Sequence, residues 1–223
     1  MKQSAHSSVS MWRTALGAVT VAAASLSGTA HAADAYPSKP ITLVIPFSPG
    51  GSTDILGRLL AQKLGEGMKA NVIVENKPGA NGTIGVDRVA KSAPDGYTVV
   101  LADVGGMAIS TSLYPKLPYQ PMKDLVPVSL VGRSPLVLTV GTNSPLKSLA
   151  DLTATAKANP AKLNYPSSGT GGPNHMGGEL YAMQANVKVT HVPYKGSAPA
   201  VVPLVSGETD FGFLTAVTIN AQL

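Results

Sequence analysis

Three short stretches bring together residue types suited to holding an anion. They are PFSPGGSTD (46–54), KPGANGTIG (77–85) and PSSGTGGPNH (166–175). In each, a strand-like run ends in glycine and small polar residues, and a helical pattern starts at once. The first turns of a helix expose unpaired N–H groups and the positive end of its dipole. Glycine lets a ligand come close to that backbone. Several such turns at one sheet edge would hold a small carboxylate or phosphate without a dedicated cationic side chain. A purely structural role is also open for each turn. Ser52, Thr53 or Asp54, for example, could simply cap the helix that follows.

Other chemistries find less support. GGSTD lacks the lysine of a phosphate-binding loop, and GANGTIG does not match G-x-G-x-x-G. No G-x-S-x-G nucleophile elbow is present. Beyond the N-terminal leader described below, the histidines are His175 and His191. His175, in the third turn, suits either a structural hydrogen bond or a ligand contact. His191 alternates with apolar residues and reads as a packed strand residue. With no cysteine and no H-x-x-x-H spacing, no metal site is expected. An exported serine hydrolase using Ser48, Ser52 or Ser168 with His175 is the competing enzyme reading. It requires a serine within hydrogen-bond reach of His175 and a third group orienting the ring.

The elements that must position these turns alternate along the chain. Strands are expected at 41–47, 71–77 and 97–103, and helices at 54–66 and 83–92. Ile55, Leu56, Leu59, Leu60 and Leu64 form the expected buried face of the first helix. Four prolines within 114–128 predict a surface connection. The apolar run 129–141, with Gly132 and Pro135 inside it, reads either as a strand crossing between two domains or as two short strands of one domain. A second series follows: helices at 148–160, 174–185 and 198–208, and strands at 162–169, 187–194 and 209–216. Gly177 and Gly178 weaken the second of these helices, and Pro203 interrupts the third. Alternation of this kind specifies an α/β fold with a mostly parallel sheet.

Composition sets the broad class. The chain has 223 residues with 17 basic and 12 acidic ones. Lys2 and Arg13 precede the apolar stretch 15–28, and AHA (30–32) is a small-x-small cleavage site. That layout predicts a secretory signal peptide over 1–32, cleaved near Ala32, against the alternative of a retained anchor. The basic residues are spread singly and aromatics make up 5% of the chain, so nucleic acid is not an expected partner.

Long segments carry a family resemblance. YPSKPITLVIPFSPGGSTDILGRLLAQKL, VIVENKPGANGTIGVDRVAKSAPDGYTVVLAD, KLNYPSSGTGGPNHMGGELY and THVPYKGSAPA occur in order over roughly residues 36–216. They resemble the Bug/TctC family, the periplasmic solute-binding receptors of tripartite tricarboxylate transporters. The resemblance implies a two-lobed periplasmic-binding-protein fold of type II, the Venus-flytrap α/β architecture. The first lobe would start at residues 33–131, and an incomplete second lobe would occupy 132–223. It implies a non-enzymatic, monomeric receptor without cofactor or metal. Its partners would be a small carboxylate and membrane transporter subunits, or a sensor kinase. The positions matching the family's ligand loops are Phe47, Ser48, Gly51, Asn81 and Gly82 in the first lobe. In the second they are Ser168, Gly169, Thr170, Gly171, His175, Tyr194 and Lys195. Three features depart from the family pattern. Pro203 stands where relatives often carry Asp, and Leu214 occupies an acidic position, which disfavours an amino-acid ligand. The sequence also stops at Leu223, where relatives continue. The expectation is therefore a C-terminally shortened receptor: a fragment, a truncated reading frame or a decayed gene that does nothing alone.

Overall fold

The computed structural model describes residues 35–220. The expected signal peptide and residues 221–223 lie outside the described residues. The chain divides into two units, residues 1–38 and 39–223. Of the first, residues 35–38 are described and carry no helix or strand. Every element below belongs to the second.

Strand β1 (Ile41–Ile45) is apolar and largely β-branched, and it sits between two partners. β2 (Val72–Asn76) and β3 (Thr98–Val100) flank it in the order β2-β1-β3. Both pairings are parallel, with Ile41 opposite Val72 and Thr42 opposite Thr98. Central position explains why Leu43, Val44 and Ile45 are buried. Helix α1 (Ser52–Met68) connects β1 to β2 and packs on Leu43 and Ile45 through Ala61 and Leu60.

The helix face differs from the expected one. Asp54, Gly57 and Ala61 are buried, whereas Ile55, Leu56 and Leu59 are 39%, 36% and 53% exposed. The reason is close approach. A side chain at Gly57 would run into Ile45, so the helix turns its smallest residues to the sheet, with Leu60 beside them and Leu56 and Leu59 outward.

After β2, a single 3-10 turn (Ala80–Gly82) enters α2 (Thr83–Ala90). After β3, a π-helical turn (Gly105–Ile109) continues into α3 (Ser110–Leu113). The proline-rich connection holds one short helix, α4 (Pro121–Asp124). The apolar run 129–141 does not form two successive strands. Its last third alone becomes strand β4 (Leu136–Thr139). Upstream, Val126, Val128 and Leu130 are 88%, 89% and 68% exposed.

The second half follows the expected alternation more closely. α5 (Leu149–Ala158) starts at Ser148, whose hydroxyl accepts from the Asp151 amide, and it ends before Pro160. β5 (Asn164–Ser167), α6 (Pro173–Ala185), β6 (Thr190–Pro193), α7 (Ser197–Ser206), β7 (Gly212–Thr215) and α8 (Ala216–Asn220) complete the series. β5 and β6 pair in parallel. β4 and β7 pair antiparallel, with Leu136 opposite Thr215, so this part of the chain departs from the expected parallel pattern.

The main core of this half gathers Leu146, Leu152, Ala156, Leu163, Tyr165, Tyr181 and Phe211. α7 runs through Pro203, which is buried although it cannot donate the intrahelical hydrogen bond of its position. Leu214 is 1% exposed and packs with Val201 and Leu204, so the departure at that position is a core residue. Among the described residues, no helix is long and apolar enough to cross a membrane.

Candidate functional site

Each glycine turn is fixed by its own side chains. In the first, the Asp54 carboxylate is 3% exposed and accepts from the Gly50 amide at 2.9 Å. It also accepts from Arg58 Nε at 3.0 Å and Asn76 Nδ2 at 2.8 Å. Burial pushes this carboxyl upward, but the hydrogen bonds from Arg58, Gly50 and Asn76 outweigh it and hold the group below the usual range. Asn76 Nδ2 also donates to the Phe47 carbonyl at 3.0 Å. The turn is therefore tied to α1 and β2 by one polar network. Asp54 braces the backbone, while the N-cap itself is Gly51, with no side-chain cap.

The second turn is the most strained. Gly79, Ala80, Asn81 and Gly82 all have positive φ, including two residues that carry side chains. Asn81 is 4% exposed, and neither atom of its side-chain amide has a hydrogen-bond partner among the protein groups.

In the third turn, Gly169 and Gly171 take positive φ. Ser167 Oγ accepts from the Gly169 amide at 3.1 Å, and Ser168 Oγ donates to Asn174 Oδ1 at 2.7 Å. His175 Nδ1 accepts from the Gly171 amide at 3.1 Å. Its ring lies 4.0 Å from that of His191, centroid to centroid. His191 Nε2 in turn meets Ser167 Oγ at 2.6 Å. Burial depresses both imidazoles, and His191 falls to about 4 under burial together with the neighbouring His175.

A fourth turn, 194–197, closes on the first. Ser48 donates both its hydroxyl, at 2.6 Å, and its amide, at 3.2 Å, to the Lys195 carbonyl. The Ser52 amide donates to Ser197 Oγ at 3.3 Å. Tyr194 donates its amide to the Ser167 carbonyl at 2.9 Å.

These turns enclose a cleft of about 220 Å³. Phe47, Gly79, Ala80, Asn81 and Gly82 form one side, and Ser168, Gly169 and Thr170 face them. Pro193, Tyr194 and Lys195 add a third side, and Tyr114 a fourth. Eight of the residues expected from sequence thus meet in one cleft: Phe47, Asn81, Gly82, Ser168, Gly169, Thr170, Tyr194 and Lys195.

The other four expected residues are not among those that line the cleft. Ser48 is spent on Lys195. Gly51 abuts Ser197, Gly171 packs on Leu113, and His175 holds the Gly171 amide. Sequence reasoning missed Tyr114, which it placed at the start of a surface connection. It also missed the His175–His191 pairing, because the two rings come from different elements.

The cleft is lined by one cation, Lys195, and by no carboxylate. Four helices start from its turns, with Gly51, Gly82, Gly172 and Gly196 as their N-caps. None of the four has a side-chain cap. α5, which starts elsewhere, is capped by Ser148. A glycine N-cap has no side chain of its own to occupy the first N–H groups of its helix; the Ser52 amide of α1 is instead taken by Ser197 Oγ. A more open hollow of about 440 Å³ between α1 and β2 is lined by Arg58, Gln62, Glu66 and Asn71, among others, and lacks this convergence.

Among the described residues, neither Ser48 nor Ser168 pairs with His175. Ser48 and Ser168 direct their hydroxyls to Lys195 and Asn174, and His175 is engaged by a backbone amide. Ser167 does meet His191, but it is fully buried and already accepts a backbone N–H. Among the described residues, no group of three or more His, Asp or Glu side chains could hold a metal.

Comparison with known proteins gives a consistent picture. The family model described as the tripartite tricarboxylate transporter family receptor matches residues 56–223. Protein BugT of Bordetella pertussis is 44% identical over 176 residues, which are 78% of this chain and 54% of that one. The solved structure of R. palustris Rpa4515 with adipate is 36% identical with a TM-score of 0.78, over 81% of this chain and 60% of the other. MatC (Rpa3494) from Rhodopseudomonas palustris, with bound malate, is 32% identical with a TM-score of 0.78, over 82% and 63%. The chain thus spans between about half and two thirds of the length of each of these relatives.

Proposed function

The chain belongs to the tripartite tricarboxylate transporter receptor family, and we propose that it captures a small organic carboxylate outside the cytoplasm for a transporter of that type. The family consists of solute-binding receptors rather than enzymes, and its fold is the α/β architecture of the two-lobed periplasmic binding proteins. In our reading residues 33–131 contribute to the first lobe and 132–223 to the second. The protein works as a monomer in the periplasm after removal of a signal peptide near Ala32, and it delivers its ligand to membrane subunits.

The observation that carries this reading is the convergence of glycine-turn residues, with Gly82 starting a helix, on a cleft lined by one lysine and no carboxylate. Such a framework favours an anion through backbone N–H groups. The adipate and malate held by two structural neighbours fit that chemistry. A carboxylate of the size of malate or adipate is the expected ligand.

Titration calorimetry with such acids tests the proposal. Lys195 is exposed, so replacing it by Ala should weaken binding by about 1–1.5 kcal/mol at most. Gly51→Val should weaken it more. A Cβ at residue 51 would lie 2.7 Å from Ser197 Oγ, so that hydroxyl would have to turn away and give up the Ser52 amide that joins the first and fourth turns. Loss of all binding in Lys195→Ala, with Gly51→Val unaffected, would show that a side-chain charge and not the backbone holds the ligand.

A further inference from the structure

The backbone turns account for one end of a bound acid, and Tyr114 offers a candidate for the other. This residue is the C-cap of α3, where the chain leaves the helix in extended geometry. It lines the cleft, yet it comes from none of the four glycine turns.

Its position is set by packing. Gly171, at φ 85°, lies so close to α3 and its preceding turn that a Cβ there would be 2.6 Å from Leu113 Cδ2 and 3.7 Å from Ile109 Cγ2. The helix and the third turn are thus pressed together directly beside Tyr114. The Tyr114 amide continues the ladder to the Ser110 carbonyl at 3.0 Å.

The hydroxyl is less well used. Its partner is the Thr170 carbonyl at 3.5 Å, beyond the 2.5–3.0 Å range of an ordinary O–H···O bond. Ser168, also in the wall, has already committed its proton to Asn174 at 2.7 Å. Tyr114 therefore presents a held but weakly engaged neutral donor at the rim of an otherwise backbone-lined cleft.

We infer that Tyr114 reads the far end of the ligand, donating its hydroxyl to a second acceptor group on an acid whose first carboxylate sits in the glycine turns. The inference rests on the receptor reading above and adds to it a residue that sets ligand length. A donor at a fixed place favours one chain length, because a shorter acid fails to reach it and a longer one must buckle. A neutral phenol also differs from a cation in accepting a carboxylate, a carbonyl or a hydroxyl at that end.

The experiment is calorimetry with succinate, glutarate and adipate on the unaltered protein and on Tyr114→Phe, with melting temperatures taken without ligand. The unaltered protein should prefer one length. The Phe variant should bind that acid about tenfold more weakly, equivalent to about 1.4 kcal/mol, while the other two change little and the unliganded melting temperature stays the same. A flattened length preference is the signature, since a purely structural role would lower all three affinities together. Equal losses on all three acids, an unchanged preference in the Phe variant, or no length preference in the unaltered protein would each overturn the inference while leaving the receptor reading in place. Absence of binding to any acid by the well-folded unaltered protein would overturn both.

Discussion

Single glycines in this chain act in opposite directions depending on what faces them. Gly178 lies in α6 over the ring of Tyr165, and a side chain there would run into that ring. Tyr165 has little room to yield. It is fully buried, donates its hydroxyl to Glu179 at 2.6 Å, and stacks near His191 and Phe211 at 5.2 and 5.5 Å. Overpacking of this kind costs about 1–3 kcal/mol, against a gain of about 1 kcal/mol in helix propensity. Gly178→Ala should therefore lower stability, by up to about 2 kcal/mol. Gly67 in α1 has nothing within 4 Å of its would-be Cβ, so Gly67→Ala should raise stability by about 0.5–1 kcal/mol. Urea unfolding of the two variants gives the comparison, and a stabilised Gly178→Ala would refute the packing account. From sequence, Gly178 reads only as a weak point in a helix. Its partner Tyr165 comes from a strand eight residues before the helix begins, and local pattern does not disclose which ring a given turn of helix will cover.

Between elements, the pairing of α6 with β6 makes stability depend on pH. His175 on α6 and His191 on β6 are stacked, and Ser167 and Tyr165 of β5 and Glu179 of α6 complete their surroundings. Both imidazoles titrate below the ordinary 6.5, mainly through burial, with His191 at about 4. The folded state thus holds fewer protons than the unfolded chain between those values. Stability from this pair is fully present above pH 6.5, falls as pH drops toward 4, and is gone below. Urea midpoints measured from pH 7.5 to 4 should show that decline, and His191→Gln should make it shallower. An equally steep decline in the variant would place its origin in other groups. The elements themselves were largely legible, because β-branched runs and 3.6-residue periodicity are local signals. The strand start at Ile41, the α5 cap at Ser148 and the stop before Pro160 all follow from residues nearby. The buried face of α1 was not legible, since Gly57 is a contact residue only once Ile45 lies beneath it. The antiparallel β4–β7 pairing was not legible either, because nothing near residue 136 specifies a partner near residue 215.

At the scale of the whole molecule, the position of each turn could be read from sequence, but their convergence depends on which strands become neighbours. That is why Tyr114 escaped notice and why Ser48 and His175 are engaged by other turns and do not line the cleft. The same nonlocal pairing sets an order in time. The first sheet joins β1 to β2 and β3, all within residues 41–100, so it is available as soon as that length exists. β4 has its sheet partner in β7, where Thr139 meets Gly212, 73 positions on. Closing so long a loop comes late, after the nearer contacts have formed. Once about 150 residues have emerged, the chain would therefore carry a folded first sheet and an orphaned β4, preceded by the exposed apolar residues Val126, Val128 and Leu130. Limited proteolysis of a chain ending at residue 150 should leave 41–100 protected and cut readily within 125–140. Early protection of β4 would mean that another partner holds it first. The interval between the emergence of residue 140 and that of residue 215 is then the period in which a newly made molecule most needs a chaperone to cover its unpaired strand.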